Sequence, residues 1–198
     1  MNHAAYLFLA DGFEEIEAVA PADILKRSIK NIRLVSLTGS RQVRSTHDIV
    51  INADLTWEEF TRAFEKEEAA PEKTALVFPG GMPGAKNLAG FEPLMDLTAK
   101  HYLAGGLVCA ICASPGYILP VLAVKGVKVS GLHFTCYPGC EEDAVAAGAL
   151  HDALPCVTDG HLITANGPGS ALAFGYAICA KIISTSSTEV LMKGMMYR

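Results

Sequence analysis

No run of Lys and Arg occurs in this 198-residue chain, and its 21 acidic side chains outnumber 16 basic ones for a formal net charge of −5. Nucleic acid and anionic membranes reward clustered cations, so neither is expected as the main partner. The N-terminus carries no long hydrophobic run either. The apolar stretch in MNHAAYLFLADGFEE is too short to span a bilayer and lacks the basic flank of a secretory signal, so a cytoplasmic chain is expected. No repeat, low-complexity tract or linker interrupts the sequence, and with 51% apolar and 19% charged residues it is expected to fold as one α/β domain over residues 1–198. The glycine loops of nucleotide sites are absent too: PGGMPGAKNL is neither Gly-x-Gly-x-x-Gly nor a Walker sequence. No cofactor is expected.

Six cysteines are present, scattered through apolar runs, which reads as reduced thiols and not as a disulfide framework. Cys156 and Cys179 read as core. Cys109 and Cys112 spell Cys-x-x-Cys, but three steps along a strand turn side chains to opposite faces about 10 Å apart, beyond disulfide reach. A zinc site from Cys109, Cys112, Cys136 and Cys140 would need four converging turns, and two of these residues lie in an expected buried strand, so no metal is expected. Cys136 and Cys140 flank Tyr-Pro-Gly as secondary thiols.

Short Val/Ile/Leu-rich segments alternate with helical patterns. AAYLFLA, IRLVSLTG, DIVINADL, TALVFPGG and GLVCAIC read as strands, several without polar alternation, as in a sheet covered on both faces. EEIEAVAPADILKRSI, EPLMDLTAKHYLAG and PGSALAFGYAICAKII read as helices, the first kinked or restarted at Pro21. AFEKEEAAPEK reads as a solvated helix end and loop. The order implies a doubly wound parallel sheet.

Ligands gather beyond the carboxyl ends of the strands in such sheets. Three features end there: DGFEEIE, PGGMPGAKNL and Cys112, the last between a buried strand and an Ala-Ser-Pro helix start. That junction resembles a nucleophile elbow without the Gly-x-Ser-x-Gly spelling, and the helix N-terminus should favour the thiolate. The glycines can aim backbone N–H groups inward, as a phosphate cradle or, better placed opposite Cys112, as an oxyanion hole. In DGFEEIE one carboxylate can turn inward while Glu15 faces water. Buried beside a thiolate, it would stay protonated.

DGFEEIEAVAPADIL, VFPGGMPGAKNL, AICASPGYIL, TCYPGCE and ITANGPGSALAFGYAI, in that order, resemble the ThiJ/PfpI superfamily, on the branch of the parkinsonism-associated protein deglycase. The resemblance covers nearly the whole chain. It implies a flavodoxin-like three-layer α/β sandwich with a mostly parallel sheet, related to class I glutamine amidotransferase domains, and a homodimer. It implies Cys112 as the reactive cysteine, Glu17 as its protonated partner, and Gly81 and Ala113 as oxyanion donors. It also implies a substrate pocket that draws on Tyr137, Asn166, Arg27 and His47. Peptidase members carry a histidine directly after the cysteine, where this chain has Ala113, so peptidase activity is disfavoured. Tyr137 stands where the deglycase has a histidine. His47 and Asn166 replace arginines, which makes the pocket less cationic. About five extra residues fall around Lys128–Leu132 in comparison with that branch.

Two function classes follow. One is a cofactor-free enzyme in which Cys112 attacks a small reactive carbonyl or its protein adduct and converts an α-oxoaldehyde to a hydroxy acid, with Glu17 moving protons. The other is a redox-responsive stress protein with a chaperone-like role, acting through oxidation of Cys112. A homodimer is expected through the face that carries Ile16, Val19 and Asn52.

Overall fold

The segments AAYLFL, TALVF and LVCAI are buried at every position, the pattern of strands sandwiched between helix layers. A computed structural model describes residues 3–66 and 70–197. The chain runs β1 (Ala4–Leu9), α1 (Glu15–Ser28), β2 (Asn31–Ser36), β3 (Gln42–Arg44), β4 (Val50–Asn52), β5 (Leu55–Thr56) and α2 (Trp57–Phe64). Then follow β6 (Thr74–Phe78), α3 (Gly84–Gly90), α4 (Glu92–Leu103), β7 (Leu107–Ile111), α5 (Ser114–Val124), β8 (His133–Phe134) and α6 (Glu142–Ala146). The last elements are β9 (Leu150–His151), β10 (Cys156–Asp159), β11 (Leu162–Ala165), α7 (Ala171–Ile182) and α8 (Thr185–Gly194).

Seven strands form one sheet in the order β10-β11-β7-β6-β1-β2-β5, all neighbours parallel except the antiparallel β10–β11 hairpin. The result is a flavodoxin-like α/β sandwich with a mostly parallel sheet. One face packs Leu7, Leu9, Val77, Cys109 and Ile111 against α1 and α7. The other packs Tyr6, Phe8, Leu76, Phe78 and Val108 against α2, α4 and α5. Each large side chain so buried contributes about 1.5–3 kcal/mol of transfer free energy.

One expectation needs correction. DIVINADL is two strands: Val50–Asn52 joins β3 in a separate hairpin, and only Leu55–Thr56 reaches the main sheet. Alternation fails there because the hairpin stands clear of the core, leaving Val50 and Asn52 exposed. The first helix passes through Pro21 without restarting. Its packing on α7 outweighs the lost backbone bond. The two helices meet at Gly175, where an added Cβ would lie 2.7 Å from Ile24 Cδ1 and 3.0 Å from Pro21 Cα. In AFEKEEAAPEK the helix ends at Phe64, residues 67–69 lie outside the described residues, and Pro71–Lys73 form a short 3-10 turn. The stretch 128–132 folds back on residues 148–150, Gly131 N–H donating to Gly148 O and Leu150 N–H to Leu132 O.

Candidate active site

Two loops meet at the carboxyl edge of the sheet with backbone against backbone. Gly84 N–H donates to Gly12 O (3.2 Å) and Glu14 N–H to Gly80 O (3.0 Å). A Cβ on Gly81, at φ +86°, would fall 2.5 Å from both Glu14 N and Gly12 O, so only glycine fits this contact. Glu14 then caps α1: its Oε2 accepts the Glu17 N–H at 2.7 Å. This fixes the first helical turn, and Glu17 points inward with no exposed surface.

Strand alternation places Leu107, Cys109 and Ile111 on the α1/α7 side of the sheet. One further extended residue would put Cys112 on the opposite side. Instead Cys112 adopts φ +63°, costly for a residue with a Cβ, and packs on the same side as Cys109, where Glu17 lies. The expectation that the two cysteines face apart fails for this reason. Cys112 N–H donates to Ala165 O, and Tyr137 N–H to Cys112 O, each at 2.8 Å. Ser114 Oγ ties the start of α5 to Pro79 O at 2.6 Å.

Gly80 separates the acid from the thiol. Its N–H donates to Glu17 Oε2 at 2.8 Å, and an added Cβ would lie 2.7 Å from that oxygen, 2.6 Å from Cys112 Cβ and 3.1 Å from Sγ. Glu17 Oε1 is buried with no N–H or O–H partner. Burial raises the Glu17 pKa from 4.5 to about 7, and the nearby Glu14 charge adds to this against the pull of Cys112 and the Gly80 N–H. Burial, followed by the charge and hydrogen bond of Glu17, pushes the Cys112 thiol up to about 12, while the Gly81 and Ala113 N–H groups favour its charged form. The helix N-terminus therefore does not by itself lower the thiol pKa, because a carboxylate faces the sulfur. The two groups are coupled, so the first proton is lost from the pair and not from a fixed atom.

The remaining residues named from sequence spread outward. Tyr137 is half exposed beside Gly167, and Asn166 Oδ1 accepts from Ser170 Oγ at 2.7 Å. His47 Nδ1 meets Glu15 Oε1 at 2.8 Å on the outer rim, so Glu15 is largely covered and does not face open water. Glu15 loses some acidity to burial, but its own N–H, Ser45 and His47 together hold its pKa below the usual value. Arg27 pairs with Asp23 at 3.0 Å on the surface. It lies ten residues beyond Glu17, about 15 Å along the helix, and is not brought to Cys112 within the chain. Among the described residues, Glu14, Glu15 and His47 offer three metal-ligand atoms within 4.8 Å of one another, but Glu14 is engaged by the Glu17 N–H and Glu15 by His47. Three contributors went unassigned from sequence: Glu14 as cap, Gly80 as donor to Glu17, and Ser114 as strut. The Gly-Gly pair after a buried strand was the available signal for Gly80.

A cysteine on a left-handed turn between strand and helix, in a flavodoxin-like sheet with a buried carboxyl beside it, defines a class of α/β proteins with a nucleophile elbow. The profile of the DJ-1/PfpI family matches residues 3–181, and the chain belongs to that family. It is 31% identical over 196 residues to the protein dj-1beta of Drosophila melanogaster, covering 99% of this chain and 98% of that one. It is 26% identical over 195 residues to the glutathione-independent glyoxalase DJ-1 of Schizosaccharomyces pombe, covering 96% of both. The crystal structure of Drosophila melanogaster DJ-1beta superposes with a TM-score of 0.85 at 30% identity, covering 100% of both chains.

Proposed function

We propose that this protein is a cysteine-dependent, cofactor-free enzyme that converts α-oxoaldehydes such as methylglyoxal to 2-hydroxy acids. The observation that carries this reading is the pairing of Glu17 and Cys112 across Gly80, with the carboxyl held near 7. In the reactive form the proton resides on Glu17 and the charge on sulfur, which gives the orphaned Glu17 oxygen a hydrogen to donate. The sulfur attacks the aldehyde carbon and a C–S bond forms. The carbonyl oxygen gains charge in front of the Gly81 and Ala113 N–H groups and takes the proton of Glu17, giving a hemithioacetal. Glu17, now a carboxylate, removes the proton from that carbon and returns it to the neighbouring one, while the hydroxyl proton of the first carbon passes to the oxygen of the second. The product is a thioester of the hydroxy acid. Water cleaves the C–S bond, releases the acid and restores the thiol. The glyoxalase relative supports this reading at the level of the family.

Tyr137 is one backbone partner of Cys112 and Asn166 adjoins the other, and His47 stands on the rim at Glu15, while Arg27 would act only across a subunit boundary. Ile16, Val19 and Leu172 are exposed and, with Ile49 and Ile51, border a hollow of about 550 Å³ beside Glu15. A homodimer through this face covers that apolar surface. Among the described residues no helix is long and apolar enough to cross a membrane. The same N–H groups on the sulfur favour a second reading, in which they hold an oxidised Cys112 as a stress signal. Purified protein should form lactate from methylglyoxal without added cofactor, and Cys112→Ser should not. Equal lactate from both proteins would remove Cys112 from the reaction, and none from either would leave the redox role.

A further inference from the structure

A cavity of about 680 Å³ opens between α2 and α4, away from the thiol. Thr74, at the amino end of β6, lines it, whereas Gly80 lies beyond the other end of that strand. Six residues of extended chain put the two about 20 Å apart. Its walls are the half-buried side chains of Trp57, Phe64 and Leu97. Trp57 is fixed by Phe91 (5.1 Å, 86°) and Phe60 (5.4 Å), and Phe60 in turn packs on Phe64 at 5.1 Å, so the aromatic wall is rigid.

Three ionisable side chains border this apolar space. His101 Nε2 bonds Thr74 O at 3.0 Å, and burial lowers its pKa, which keeps it neutral. Asp96 shares Lys125 with Glu92. Lys100 has no ion-pair partner among the described residues. The cavity thus presents an aromatic wall and, in Lys100, a cation with no direct ion pair among the described residues. Its volume fits a small molecule, within the roughly 300–1,000 Å³ range of ligand sites.

We propose that this cavity binds a small aromatic carboxylate, the ring against Trp57 and Phe64 and the anion paired with Lys100. Nothing in the reaction at Cys112 uses these residues, so the site is separate from the catalytic one.

Trp57 is the single tryptophan of the chain and reports directly on occupancy. The full-length protein is titrated with 3-phenylpropionate, with its neutral amide 3-phenylpropionamide, and with the cation 3-phenylpropylamine, following tryptophan emission. A saturable change is expected with the carboxylate, at an affinity about tenfold tighter than the amide, equivalent to about 1.4 kcal/mol. The amine should bind weakest. Lys100→Gln, an exposed substitution, should weaken the carboxylate to the level of the amide and leave the amide unchanged. Cys112→Ser should leave all three affinities unchanged. The proposal is overturned if no ligand saturates at millimolar concentration, if amide or amine binds as tightly as the acid, or if Lys100→Gln preserves the preference. Loss of binding in Cys112→Ser would also overturn it, by placing the ligand at the thiol.

Discussion

Replacing Glu17 by Gln removes one ionisation and keeps the shape of the side chain, with the amide oxygen still able to accept the Gly80 N–H. In the folded protein the carboxyl titrates at about 7 and not at 4.5, chiefly because it is buried. The folded state therefore keeps a proton between these two values that the unfolded chain has already lost. At about 1.36 kcal/mol per tenfold change in acidity, the gap corresponds to about 3 kcal/mol. Well below pH 4.5 both states are protonated and no penalty exists. As pH rises towards 7 the stability falls by this amount, and it stays lowered above. The argument holds whether sulfur or oxygen takes the charge, because the pair loses one proton in that window either way. The Glu17→Gln variant carries no such penalty. Urea unfolding at several pH values should show the two proteins converging below pH 4.5 and Glu17→Gln more stable by up to about 3 kcal/mol at pH 8. Titrating groups outside the Glu17–Cys112 pair are common to both and cancel, and up to pH 8 the buried Cys112 of the variant keeps its proton. A stability difference that stays constant from pH 4.5 to 8 would refute the reasoning.

Brief alkylation with iodoacetamide near neutral pH, followed by mass mapping, should label Cys112 first. Cys136 is pushed to about 12 by burial and by the Glu141 and Cys140 charges, with no carboxylic acid to share a proton, and Cys109 is fully buried. Faster labelling of Cys136 or Cys140 would contradict the site assignment. Light scattering should find a dimer in the unmodified protein and a monomer in Ile16→Asp, since Ile16 is 52% exposed on the apolar face. A monomeric unmodified protein at micromolar concentration would count against that interface.

The central strands could be read from the sequence because burial on both faces demands continuous apolar runs, as in AAYLFL, TALVF and LVCAI. The small pair at the margin could not: β8 and β9 have two residues each and run parallel, and their pairing depends on the fold-back at residues 131–150. Cys112 and Glu17 stood out through their places after buried strands. Their mutual position did not, since it depends on a left-handed turn at Cys112 and on the missing side chain at Gly80. Strand periodicity alone sends Cys112 to the other face. The expected low thiol pKa likewise left out the burial and the facing carboxylate, which only the packed structure supplies.

The placement of the shared proton is measured most directly by the ultraviolet absorbance of the thiolate as a function of pH, in the unmodified protein and in Cys112→Ser. The proposed chemistry requires sulfur to carry the charge once the pair loses its first proton. A thiolate signal should therefore rise through an apparent pKa of about 7 and be absent in Cys112→Ser. If the proton stays on sulfur and Glu17 carries the charge, no such signal appears until pH approaches about 12, and the account of Cys112 as a nucleophile at neutral pH is contradicted.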